Sequence, residues 1–108
     1  MTLQEFWPIY VLEHLNLRNR QIHALGTSAG ILFTIVASIT GNAAWIIAAL
    51  MSGYGAAWCG HFFIEGNRPA TFKHPLLSLA CDFKMFAYIL RGRMDIEIEK
   101  AKSSKLSL

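Results

Sequence analysis

A chain of 108 residues and 12.1 kDa has room for one domain. Hydrophobic residues make up 54% and charged residues 16%, against roughly 25% charged in an ordinary soluble domain, and mean hydropathy is +0.36. This excludes a disordered chain, two cysteines exclude a disulfide scaffold, and the composition is that of a membrane protein.

The net charge of +3 and pI near 9.1 would suit nucleic acid, but the basic residues flank an apolar centre and form no separate stripe. Topology and anionic lipid account for them, so no nucleic-acid partner is expected.

From the N-terminus, Leu3, Phe6, Trp7, Tyr10, Val11 and His14 recur at helical spacing, with Gln4, Glu5 and Glu13 off that face. The pattern predicts an interfacial helix over about 2–15, with Trp7 and Tyr10 at headgroup level and Pro8 near its start. Glu5 and Glu13 precede Arg18 and Arg20, which is the reverse of a cleavable signal.

Residues 21–64, 44 in all, contain no Asp, Glu, Lys or Arg. One spanning helix needs about 20 apolar residues, so this run is long enough for two. Gly41-Asn42 is the breaker near its middle. The expected spans are about 24–40 and 43–63, forming a transmembrane helical hairpin. A soluble αα-hairpin is the competing reading, but so short a chain cannot bury two helices that are apolar all round. Arg18 and Arg20 precede the first span; Arg68, Lys73, Lys84, Arg91 and Arg93 follow the second. Both termini are therefore expected on the cytoplasmic side, as in a bacterial inner membrane. Gly26-Thr-Ser-Ala-Gly30 faces Gly53, Ala56, Ala57 and Gly60 as a small-residue seam. Hairpin packing is its first reading and a homodimer its second.

Pro75–Leu90 opens with proline at a first helical position and carries Asp82 and Lys84 in an apolar stretch. At about 24 Å it is short for a span, and an interfacial or re-entrant helix is expected. The domain thus runs over 1–94, with 95–108 a polar tail that starts as a helix and frays.

Four histidines remain to be placed. His23 lies about 18.5 residues before the turn centre and His61 about 19.5 after it, so antiparallel helices bring them to nearly equal depth. His14 and His74 lie outside the spans on the same side, so one patch can gather all four. Asn19-Arg20 between His14 and His23 is echoed by Asn67-Arg68 between His61 and His74. Imidazoles suit iron, copper, zinc or nickel, with Glu13, Glu65 and Asp82 as acceptors behind them. The competing reading has them capping helices or lying among headgroups. Cys59 and Cys81 read as reduced thiols, with Cys59 a minor candidate ligand.

Tyr10-x3-His14, Asn19-Arg20-x2-His23-x2-Gly26-Thr27 and above all Gly60-His61-x3-Glu65-x-Asn67-Arg68-Pro69-Ala70-Thr71-Phe72, then His74-Pro75 and Asp82-Phe83, resemble the family of 2-hydroxy fatty acid dioxygenases. Its founding member acts in the breakdown of phytosphingosine to odd-numbered fatty acids. The likeness covers about Phe6 to Arg93 and is closest to short, bacterial-type members; eukaryotic relatives are longer and reside in the endoplasmic reticulum. It implies an all-α integral membrane enzyme that uses Fe(II) and O2 to shorten a 2-hydroxy fatty acid by one carbon, in fatty acid α-oxidation. It also implies His14, His23, His61 and His74 as the iron ligands.

A ferrous site with open positions can chelate a 2-hydroxy acid through its hydroxyl and carboxylate. Arg20 or Arg68 would neutralise the carboxylate, or else bind lipid phosphate. Glu65, one turn after His61, would orient an imidazole, act as a base, or pair with Arg68. Asp82 inside an apolar helix marks function, and Tyr10 stands one turn before His14 to hydrogen-bond it. Trp7 and Trp58 are interface or packing residues. Two rival classes stand beside this one: a b-type haem protein with His23 and His61 as axial ligands, and a non-catalytic membrane module that binds lipid or metal.

Overall fold

The longest apolar stretch becomes the longest helix, α2, Leu17–Thr40, and its length follows from its ends. Asn16 caps the start, its side chain accepting from the Arg18 N–H at 2.9 Å, and Gly41 ends it in the left-handed conformation at φ 68°. Within it Ser28, Thr34, Ser38 and Thr40 each donate to the carbonyl four residues back, so their hydroxyls need no partner from the surroundings. In the computed structural model, which describes residues 1–69 and 72–106, α3 (Ala44–Cys59) follows after a short turn. A π-helical turn, Gly60–Glu65, extends α3 without a break. Ala70 and Thr71 of the long motif, and Ser107 and Leu108 at the C-terminus, lie outside the described residues.

Leu17–Thr40 and Ala44–Glu65 are each long and apolar enough to cross a membrane. The first starts seven residues earlier than the expected span, so Arg18, Arg20 and His23 lie inside the helix. The two pack along each other with their small residues in the seam. A Cβ on Gly26 would fall 2.6 Å from the Ala56 Cβ and 3.0 Å from the Ser52 carbonyl oxygen, so this crossing needs glycine.

The flanking elements form a second layer at the end of the pair that holds Leu17 and Glu65. They are α1 (Leu3–Leu12), α4 (Pro75–Leu90) and α5 (Met94–Leu106). Thr2 and Glu5 form a capping box at the start of α1, and Pro8 is accommodated within it. Phe6, Trp7, Tyr10 and Val11 of α1 pack with Cys81 and Met85 of α4 and with Met94, Ile98 and Ala101 of α5 in one core. Full burial of each large side chain contributes about 1.5–3 kcal/mol.

The flanking segments differ from expectation in what covers them. Trp7 and Tyr10 face protein and not lipid headgroups: they are buried between helices, because α4 and α5 cover the apolar face of α1. The segment after Arg93 is helical through Leu106, and its Met94, Ile98 and Ala101 recur at helical spacing and dock on α1.

Candidate metal centre

Three elements each deliver one imidazole to the junction of the two layers: His14 from the turn after α1, His23 from α2 and His61 from the π-helical turn. All three are buried, and their ring centroids lie 4.4, 4.6 and 5.0 Å apart with the planes nearly perpendicular.

Each ring is fixed through Nδ1. His14 Nδ1 lies 2.6 Å from the Tyr10 carbonyl oxygen, and His23 Nδ1 lies 3.0 Å from that of Asn19. A carbonyl only accepts, so both nitrogens carry the proton. Asn67 Nδ2 donates to the Glu13 carbonyl at 3.1 Å, which turns its Oδ1 toward His61 Nδ1 at 2.6 Å. His61 must therefore donate as well. With every Nδ1 protonated, all three Nε2 atoms keep their lone pairs.

Those lone pairs converge. His14 Nε2 and His23 Nε2 are 3.2 Å apart, and one nitrogen from each of the three rings lies within 4.8 Å of the others. Two nitrogens held about 2.1 Å from a shared ion stand roughly this far apart. Neutral lone pairs facing one another repel unless a cation sits between them. Burial pushes the His14 imidazole well below its usual range, and His23 and His61 push it the same way, so it stays a neutral ligand. The donor set fits a metal ion of the imidazole-binding class.

The π-helical turn shapes the third arm. The His61 carbonyl accepts from both Gly66 N–H (2.8 Å) and Asn67 N–H (3.0 Å), which brings the Asn67 side chain back over the His61 ring. Gly60 lies so close to the Asn19 side chain that a Cβ would overlap its Oδ1. Asn19 is fully buried, and its Oδ1 has no hydrogen-bond partner among the described residues. Asn67 and Asn19 are the supporting residues that a search for ligands alone overlooks. Their signal was the repeated Asn-Arg pair, although only Asn67 accepts with its side chain, and Asn19 accepts from His23 through its backbone carbonyl.

The remaining candidates fall elsewhere. His74 stands outside the group, its ring edge-on to Phe6 with centroids 5.1 Å apart. Arg20, buried, donates to the carbonyls of His14 (2.9 Å) and Leu15 (2.7 Å), and so ties down the turn that carries His14. Glu65 accepts from the Asn16 N–H at 2.6 Å and from Asn19 Nδ2 at 3.4 Å, and pairs with the start of α2 instead of Arg68. Arg68 is exposed over the Phe72 ring at 5.8 Å. Tyr10 stacks on the His14 ring at 3.9 Å, and its hydroxyl donates to Asp82 instead of to the histidine. Burial pushes the Asp82 carboxyl up to about 6 despite the Tyr10 bond that opposes it. Cys59 is exposed and outside the histidine group; burial pushes the Cys81 thiol up to about 12, which removes it as a thiolate. His14 occupies the space that a macrocycle between His23 and His61 would require, which disfavours the haem reading.

Two cavities flank the cluster. One of about 650 Å³ has Glu13, Asn67, Arg68, Lys73 and His74 in its wall. The other, about 170 Å³, is a mostly apolar groove between α2, α3 and α4 that begins at His23 and Asp82.

A family model described as 2-hydroxy-palmitic acid dioxygenase Mpo1-like matches residues 1–94. No curated protein and no solved structure shows significant similarity to the chain. The match takes in most of the chain, including α1 through α4 and all three clustered histidines, and the chain belongs to the Mpo1-like family.

Proposed function

We propose that this Mpo1-like protein is a membrane dioxygenase that shortens long-chain 2-hydroxy fatty acids by one carbon, with His14, His23 and His61 holding Fe(II). The convergence of one imidazole nitrogen from each of three elements in a buried site, with each ring held through Nδ1, carries this reading, because a single metal ion satisfies all three at once. When bound, ferrous iron supplies open positions for a chelating 2-hydroxy acid and for O2.

The protein's own part is positioning and exclusion of water. Tyr10, Asn19 and Asn67 fix the three rings by accepting from Nδ1, and Arg20 holds the α1–α2 turn. Asp82, which shares the groove wall with His23, would take the substrate's hydroxyl proton, with the Tyr10 hydroxyl steadying it. Arg68 and His74 line the other cavity and serve the interface with anionic lipid. In this reading α2 and α3 cross the bilayer as a hairpin, and the one-sided Arg and Lys residues keep both termini cytoplasmic.

The test is turnover. Protein in membranes, given a long-chain 2-hydroxy fatty acid, O2 and Fe(II), should yield the acid one carbon shorter, while the plain fatty acid should not react. His61→Ala should abolish turnover and metal binding yet still insert. Equal oxidation by the His61→Ala protein would overturn the assignment and favour a non-catalytic lipid- or metal-binding module.

A further inference from the structure

The groove between α2, α3 and α4 has a built direction. It starts at His23, one of the three clustered imidazoles, and runs past Gly26 and Gly30 to Thr34, about 16 Å along α2. Gly53 and Leu50 of α3 form the opposite wall, and Leu79 and Phe83 of α4 cover the end near His23. Its polar groups gather at that end. Further along, the Thr34 hydroxyl is satisfied by the Gly30 carbonyl at 2.8 Å and asks nothing of a ligand. Leu50 and Phe83 are half exposed, so the groove opens on the face that meets lipid when α2 and α3 span.

The glycines along this seam do different work. A Cβ on Gly26 would collide with Ala56, so Gly26 exists to let α2 and α3 touch. A Cβ on Gly53 would meet nothing within 4 Å, and one on Gly30 only the Ala49 carbonyl at an ordinary 3.5 Å. Helix packing does not require glycine at these two positions, which cost the helices roughly 0.5–1 kcal/mol each relative to alanine. What they provide is room along the groove that starts at the three histidines.

We propose that the groove holds the acyl chain of the 2-hydroxy acid, and that the space left by Gly53 and Gly30 sets how long a chain the site accepts. The inference rests on the reaction proposed above and deepens it. The occupant follows from continuity: a polar head held at His23 and Asp82 sets the tail at the start of this apolar path. The larger cavity does not offer it, because its wall meets His61 through Asn67, on the protonated Nδ1 side.

The experiment uses the full chain in lipid nanodiscs and a 2-hydroxy-palmitic acid with a diazirine at the chain end. Photolysis should label Thr34, Ala49 and Leu50. Gly53→Leu should cut that label about tenfold and shift turnover toward short acids by a similar factor. Gly55→Leu gives the same gain in helix propensity at an exposed site outside the groove, where a Cβ also meets nothing, and should leave both readouts unchanged. Metal content equal to wild type in Gly53→Leu shows that its fold is kept. If it is not kept, Gly30→Ala combined with Gly53→Ala adds two methyl groups and should give a smaller shift in the same direction. Label on the outer residues Ile35, Ile39 and Ile47 that neither variant changes would overturn the groove. Groove labelling without shortening of the acid supports the groove and overturns the reaction. Shortening with an unchanged chain-length profile in Gly53→Leu overturns the groove and leaves the reaction standing.

Discussion

The two ends of the α2–α3 pair follow opposite rules. At the end with Leu17 and Glu65 the buried side chains are polar, with His14 and Asn19 0% exposed, His61 2% and His23 3%. At the end with Thr40 and Ala44 the apolar side chains are the exposed ones, Ile39 at 79% and Ile47 at 61%. Exposed isoleucine costs little where lipid is the solvent. A buried imidazole or amide is costly anywhere unless it is paired. The working region of this chain is therefore marked by where polarity is buried, and hydrophobicity alone does not find it.

The largest effect should come from the ligands themselves. Single alanine substitutions of His14, His23 or His61 should each abolish stoichiometric metal binding, measured by elemental analysis of protein purified without oxygen. His74→Ala should retain full metal content, because His74 packs on Phe6 outside the cluster. Loss of metal in His74→Ala alone would put the centre elsewhere.

Next come the groups that aim the ligands. Asn67→Ala removes the acceptor at His61 Nδ1 and frees the ring to turn and change tautomer. Metal affinity should fall about 10–100-fold. Asn67→Asp keeps an acceptor and should recover most of it. Competition with a chelator measures both.

Packing predictions follow for the two kinds of glycine. Gly60→Ala drives a methyl group into the Asn19 side chain and should destabilise the protein by about 1–3 kcal/mol, with metal affinity falling alongside because the same methyl group crowds His23 Nδ1 at 3.5 Å. Gly53→Ala enters open space and should stabilise by about 0.5–1 kcal/mol. Thermal denaturation in one detergent separates the two signs.

Much of this arrangement was legible in the sequence, and the reasons are physical. The charge-free run and Gly41-Asn42 announced two long apolar helices, and the residue count from that turn placed His23 and His61 level. Three features were not legible. The π-helical turn adds a residue to the helix without changing composition, so no periodicity shows it. Whether the aromatic face of α1 meets lipid headgroups or protein depends on what covers it, and the cover is α5. That helix carries Met94, Ile98 and Ala101 at helical spacing, but its many charges hid the stripe. His74 shares the side of the membrane expected for the cluster, yet its ring packs on Phe6, and depth alone does not determine which way a ring turns.

A further modest effect tests the cover itself. Trp7 Nε1 donates to Glu97 Oε1 at 2.9 Å, a direct polar link between α1 and α5, and Lys100 adds an ion pair to Glu97 at 3.3 Å. Burial raises the Glu97 carboxyl, but the bonds from Trp7 and Lys100 outweigh it and leave the group below its ordinary 4.5. A carboxyl lowered by folding adds stability that is fully present above its unfolded value and is lost as pH falls through the folded one. Trp7→Phe keeps most of the packing and removes the donor. It should cost about 0.5–1.5 kcal/mol at neutral pH. The difference from wild type should shrink as pH drops below about 4.5, in metal-free protein so that ligand protonation does not intrude. A cost that stays constant down to low pH would assign the loss to packing alone, and α5 would then be held by Met94, Ile98 and Ala101 without help from the buried hydrogen bond.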